Sequence, residues 1–143
     1  MIDTLKAMEM YCRIYVTMVA ERVFVEKLPE SPALDPKFGR PFPAMTILQT
    51  GGNELIAAPL VEPLYTLTCY GRNLAECMSI YSQFWRSTRT VTGISLPPRR
   101  INNRWMLLGI VIASQPTPGT EPETDWPVVQ FAVSARWDAL QGA

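Results

Sequence analysis

Apolar residues return between residues 2 and 19 with the period of an α-helix. Lys6, Glu9, Arg13 and Thr17 share one narrow stripe, and Leu5, Met8, Tyr11, Cys12, Tyr15, Met18 and Val19 fill the wide remainder. A helix buried around most of its girth is expected there. The pattern then changes. Residues 21–28 (ERVFVEKL) are β-branched and aromatic and stop at Pro29, which reads as a strand. Residues 29–43 (PESPALDPKFGRPFP) hold five prolines and a glycine, a density that leaves no regular element, so an extended loop is expected. Residues 44–50 (AMTILQT) read as a short strand, and Gly51, Gly52 and Asn53 after it read as a turn. Residues 60–70 (LVEPLYTLTCY) alternate strictly, with Tyr65, Leu67 and Cys69 on one face and Thr66, Thr68 and Tyr70 on the other. Pro63, near the start of this strand, implies an edge position or a bulge.

Asn73 fits a helix N-cap, with Glu76 three residues later as in a capping box. A helix over 74–86 follows, with Leu74, Cys77, Met78, Ile80, Tyr81, Phe84 and Trp85 on the face that would lie on a sheet. Residues 105–113 (WMLLGIVIA) are continuously apolar and read as a central strand buried on both faces. Val129, Phe131, Val133, Ala135 and Trp137 alternate with polar or small residues, giving a half-buried last strand. Between these two strands lies "SQPTPGTEPETDW", a proline-stiffened excursion within the same sheet, and a loop of that length is expected to touch a neighbour. The resulting order is α, β, loop, β, β, α, β, loop, β. Successive strands without an intervening helix pair antiparallel. The expected fold is therefore a single α+β domain, a mostly antiparallel or mixed β-sheet of about four to six strands flanked by two α-helices, with long proline-rich loops.

The chain has 143 residues, of which 48% are apolar and 18% charged. A core can form, and the charge content is below the ~25% of an ordinary soluble domain, as it would be if part of the surface met other subunits. Formal net charge is zero, which gives no global field for nucleic acid. Cys12, Cys69 and Cys77 are odd in number and set among apolar residues, so buried thiols in a reducing, cytosolic compartment are expected. The apolar N-terminal segment is interrupted by Asp3 and Glu9, and it is read neither as a signal peptide nor as a membrane span.

The chain contains no histidine, so no Ser-His or Cys-His pair can activate a nucleophile. A Ser-Lys pair would have to draw on Lys6, Lys27 or Lys37, none of which sits in a motif. No phosphate-binding glycine motif occurs. Glu121, Glu123 and Asp125 have the every-second-residue spacing of calcium ligands, yet Pro118 and Pro122 occupy the loop and favour a solvated acidic turn. No catalytic, cofactor or metal residue is therefore assigned. One charge pattern remains. Between Glu76 and Glu121 there is no acid, while Arg86, Arg89, Arg99, Arg100 and Arg104 all fall there. They read either as a solvated helix end and loop or as a basic patch facing DNA or an acidic partner. If that partner were the acidic turn of a neighbouring copy, the contact would be head-to-tail and could close a ring.

Four stretches in order resemble the small tail terminator (tail completion) proteins of long-tailed bacteriophages. They are the N-terminal helix leading into "ERVFVEKLPE", then "PFPAMTILQTGGNE", then "LYTLTCYGRNLAECMSIYSQFW", then "WMLLGIVIASQPTP" with its acidic loop and "DWPVVQFAVSARW". Together they span nearly the whole chain. The resemblance implies a structural virion protein, made in the host cytoplasm, with no reaction and no cofactor. It would form a homo-oligomeric ring, a hexamer, on the head-proximal end of the tail tube and stop tube polymerisation. Its partners would be itself, the tail tube protein and the head-side connector or stopper, with DNA passing through the lumen unread and no membrane involved. A head-completion or connector adaptor of the neck is the neighbouring alternative, and an unrelated ligand-binding module or enzyme is a third. On the first reading the expected contact residues are Phe38 and Arg40 in the first loop, the five arginines, and Glu121, Glu123, Asp125 and Trp126 in the second.

Overall fold

A computed structural model of the chain describes residues 3–29, 34–37, 39–55, 60–89 and 96–138, with the side chains of 53–55 left aside. Helix α1 (Thr4–Tyr15) begins where the Asp3 carboxylate accepts from the Lys6 amide at 3.0 Å, and it runs into a 3-10 turn over Thr17–Val19. The strands are β1 (Val23–Val25), β2 (Leu34–Asp35), β3 (Arg40–Pro41), β4 (Ala44–Leu55) and β5 (Leu60–Tyr70). After helix α2 (Leu74–Ser87) come β6 (Arg99–Ile101), β7 (Trp105–Ile112), β8 (Thr117–Thr120) and β9 (Pro127–Asp138).

Seven strands form one mixed sheet in the order β1-β4-β5-β9-β7-β6, with β8 also on β9, and β2 and β3 pair separately. The fold is α+β. Among the described strands only β1 and β4 run parallel, with Val23 opposite Met45. A parallel pair needs a crossover of about a dozen residues or more, and the proline-rich segment supplies it. That segment was expected to hold no regular element, yet it carries the short antiparallel β2–β3 pair. The strand expected over 21–28 shrinks to Val23–Val25, because at Glu26 the backbone turns to φ +73°.

The expected turn at Gly51–Gly52 is not a turn. Both glycines lie inside β4, where the register against β5 slips between Gln49 and Gly51. Gly52 sits opposite Pro63 at φ +131°, and a Cβ there would come within 2.5 Å of the Glu62 carbonyl oxygen. Only glycine permits this approach of two backbones. Pro63 thus sits in a central strand rather than at an edge, one residue from the point where the neighbouring strand β4 bulges.

Both helices cover the same face. α1 packs chiefly on β1, β4 and β6, and α2 on β5 and β9. Between helices and sheet lie Met8, Tyr11, Cys12, Ile80 and Phe84 from the helices and Ile47, Leu67, Phe131, Val133 and Trp137 from the strands, all essentially inaccessible. A buried polar relay ties three elements together. Trp137 Nε1 donates to Tyr65 Oη at 3.1 Å, and Tyr65 Oη donates to the Thr4 carbonyl at 2.8 Å. The three cysteines are buried and unpaired. β7 is not buried on both faces as expected, since Val111 is 58% exposed. β6 reaches only the first residues of β7, and among the described residues no helix covers the outer face of the sheet.

Candidate functional site

The residues between β7 and β9 were expected to form a long loop. They form a continuation of the sheet instead. β7 ends opposite Val133, the Ala113 amide donates to the Ala132 carbonyl at 2.7 Å, and β8 then pairs Thr117 with Gln130 and Thr120 with Pro127. β7 and β8 together make one interrupted partner for β9. Proline could enter because β8 is an edge strand, where a missing N–H costs no ladder bond on its free side. All of β8 is exposed.

The tip of this hairpin is built by its own acid. The Glu121 amide donates to the Trp126 carbonyl at 2.8 Å, and the Asp125 amide returns to the Glu121 carbonyl at 2.8 Å. Glu121 Oε2 accepts from the Thr124 hydroxyl at 2.6 Å and the Thr124 amide at 2.8 Å. These bonds hold the Glu121 carboxyl below its ordinary value, the Thr124 side chain contributing most. Asp125 takes φ +61°, a conformation aspartate tolerates better than most residues. Glu121 is therefore committed to the turn. Glu123 and Asp125 are exposed, with no ion pair among the described residues. Trp126 is half-buried and, with Lys27, Leu28, Pro29, Tyr70 and the tip residues, lines a groove of about 330 Å³. Pro29, where the first long segment begins, thus lies across a groove from the tip of the second.

The start of α2 holds an ion cluster that the sequence reading did not single out. Arg72 bridges Asp35 of β2 at 3.0 Å and Glu76 of α2 at 2.6 Å, and its amide donates to Glu76 Oε1 at 2.9 Å. Asn73 caps α2 as expected, accepting from the Glu76 amide at 2.8 Å. Glu76 reaches one residue further back than a capping box requires, to Arg72. Hydrogen bonding to Arg72 holds both carboxyls, Glu76 and Asp35, below their ordinary values. Arg40 donates to the Arg72 carbonyl at 3.0 Å, so this expected contact residue braces β3 against the start of α2. Phe38 lies outside the described residues.

The five arginines lie toward the other end and do not form one patch. Arg99 turns inward. It donates to Tyr11 Oη at 2.7 Å and to the Ser87 carbonyl at 2.8 Å, with its guanidinium 4.5 Å from the Tyr15 ring centre. Arg100 and Arg104 lie on the β6–β7 hairpin, which closes where Asn102 and Asn103 both take positive φ and the Arg104 amide donates to the Ile101 carbonyl at 3.1 Å. Arg104 lies 4.8 Å from the Trp105 ring centre. Arg86 lies in the last turn of α2 and Arg89 just beyond its end. Arg89 covers the Trp85 ring at 5.3 Å, and Arg86 is exposed beside a shallow cleft it shares with Tyr81, Ser82 and Trp85.

Trp85 and Leu74 lie at the rim of the apolar stripe of α2, and the sheet does not reach them. They are 39% and 44% exposed. Leu74, Met78, Tyr81 and Trp85 follow one another at i, i+4, i+7 and i+11, a continuous ridge along the helix. The stripe was legible as apolar. Its excess width over what the sheet can cover was not.

No protein-family model matches the chain, and no curated protein is significantly similar to it. No helix among the described residues is long and apolar enough to cross a membrane.

Proposed function

We propose that this chain is a structural subunit of the virion of a long-tailed phage. It assembles as a ring on the head-proximal end of the tail tube, stops tube polymerisation and receives the head-side connector, with DNA passing through the lumen. The observation that carries the reading is the arrangement of contact features around a one-sided α+β sheet. Both helices pack on one face, an exposed hairpin extends the sheet, and the exposed acids Glu123 and Asp125 lie off one end of α2 while the exposed Arg86 lies in its last turn. A subunit that must contact copies of itself and two different rings needs such dispersed surfaces more than one deep pocket. The helices and longer strands keep the expected order, with the short strands β2, β3, β6 and β8 added.

Mass measurement of the purified chain and a cryo-EM map of the particle neck test this. A ring of this chain at the joint between tube and head, cross-linking to the tube protein, is the expected result. Cross-links to the portal side alone would place the chain in the neck adaptor instead, and no density at the joint would end the proposal.

A further inference from the structure

We infer that the acidic tip of the β8–β9 hairpin of one copy docks on the Tyr81–Trp85–Arg86 cleft of the next copy. The inference deepens the ring reading by naming its subunit contact, and it rests on that reading only in requiring a second copy of the chain.

The cleft has the composition of an interface anchor. It is a shallow depression of about 320 Å³ lined by Tyr81, Ser82, Trp85 and Arg86. Trp, Tyr and Arg are the residue types that carry most binding energy at protein interfaces. Tyr81 is fixed by its edge-on contact with Phe131, ring centres 4.8 Å apart, and Trp85 is fixed by the guanidinium of Arg89. A rigid aromatic platform loses little entropy on binding. Arg86 has no ion pair among the described residues.

The tip has the complementary character. Glu123 and Asp125 are exposed and without ion pairs, and the turn is already ordered by Glu121 and Thr124. Within one chain the two cannot meet. Helix α2 starts beside the tip, where Cys77 Sγ donates to the Pro127 carbonyl at 3.4 Å, and runs away from it to Ser87. Arg86 lies nine residues beyond Cys77, about 13 Å along the helix, whereas the tip precedes Pro127 and so extends the other way. Two different, complementary surfaces on one subunit give a heterologous contact, which repeats from copy to copy and closes into a ring when the rotation permits.

The test is sedimentation of the purified full chain and of charge-reversed variants, each checked for native circular dichroism. Arg86→Glu alone, and Glu123→Arg with Asp125→Arg, are expected to shift the oligomer towards monomer. Combining the reversals in one chain is expected to restore it. Trp85→Ala is expected to weaken association about thirtyfold. A wild-type oligomer indifferent to all of these overturns the docking and leaves the ring standing. Singly reversed variants that are not rescued in combination overturn the pairing of these charges. A wild-type chain that stays monomeric at its highest soluble concentration overturns the docking and removes support from the ring as well.

Discussion

Replacing Arg99 with leucine would leave Tyr11 Oη and the Ser87 carbonyl without their cationic donor and uncover the face of Tyr15. The expected loss is about 2–4 kcal/mol of stability, read as a lower urea midpoint. Arg86→Ala, at an exposed site, should change stability by less than about 0.5 kcal/mol. Two arginines of one acid-free stretch thus do opposite jobs, and sequence cannot separate them, because the partners of Arg99 come from α1 and the end of α2. Titration follows the same local logic. Burial pushes the Tyr11 hydroxyl up to about 12 and the Cys77 thiol up to about 11. Groups raised in the folded state contribute stability that is intact below their ordinary values, 9.0 for the thiol and 10.0 for the phenol, and is lost as pH climbs through the folded ones. Melting temperature should therefore fall from about pH 9 upward. Glu76 and Asp35 act in the opposite direction. Their depressed values give stability that is present above the ordinary carboxylate range and lost as pH falls below about 4.5. Asp35→Asn with Glu76→Gln should flatten the acid limb of the melting curve, and an unchanged limb would show that Arg72 does not set it.

At the scale of elements, β4 depends on one residue without a side chain. Gly52→Ala places a methyl group against the Glu62 carbonyl at a positive φ, and a loss of about 1–3 kcal/mol by chemical denaturation is expected. The hairpin tip is more local. Glu121→Ala should speed amide exchange at Thr124 while leaving the melting temperature nearly unchanged, because the bonds it removes, from the Thr124 amide and hydroxyl, lie within the exposed turn. These two places also mark where sequence reading stopped. α2 and β5 were legible almost to the residue, since long strict periodicity and an Asn cap leave little choice. Gly51 and Gly52 looked like a turn, and "TPGT" looked like a loop, because short-range signals cannot report the partner strand that makes a bulge or an edge tolerable. The parallel β1–β4 pair escaped for the same reason: its register depends on a crossover, not on local pattern.

For the whole molecule, the layer arrangement matters more than any one loop. Composition foretold a core and a surface poor in charge. It could not tell that both helices share a face, since each apolar stripe is compatible with either side of a sheet. The contact residues were legible as types but not as places: Arg40 and Glu121 brace their own subunit, Arg86, Glu123 and Asp125 remain available, and Tyr81 and Trp85 join them only once the width of the sheet is known. Deleting the exposed arm by replacing residues 115–126 with a short turn should leave a folded chain that no longer assembles, measured by circular dichroism and light scattering together. Loss of the native spectrum would show instead that β8 is needed for the core.

The placing of β9 has one more consequence. It holds β5 on one edge and β7 with β8 on the other, yet it is the last described element to leave the ribosome. While translation is still short of Pro127, the edge of β5 has no partner and Phe131, Val133 and Trp137 are absent from under the helices. At ordinary elongation rates this lasts seconds. The nascent chain is thus kept from finishing its sheet, and the β8–β9 hairpin from closing, until nearly everything through β9 has been made. Until then the open edge of β5 is the place where the incomplete chain is most exposed to pairing with another strand.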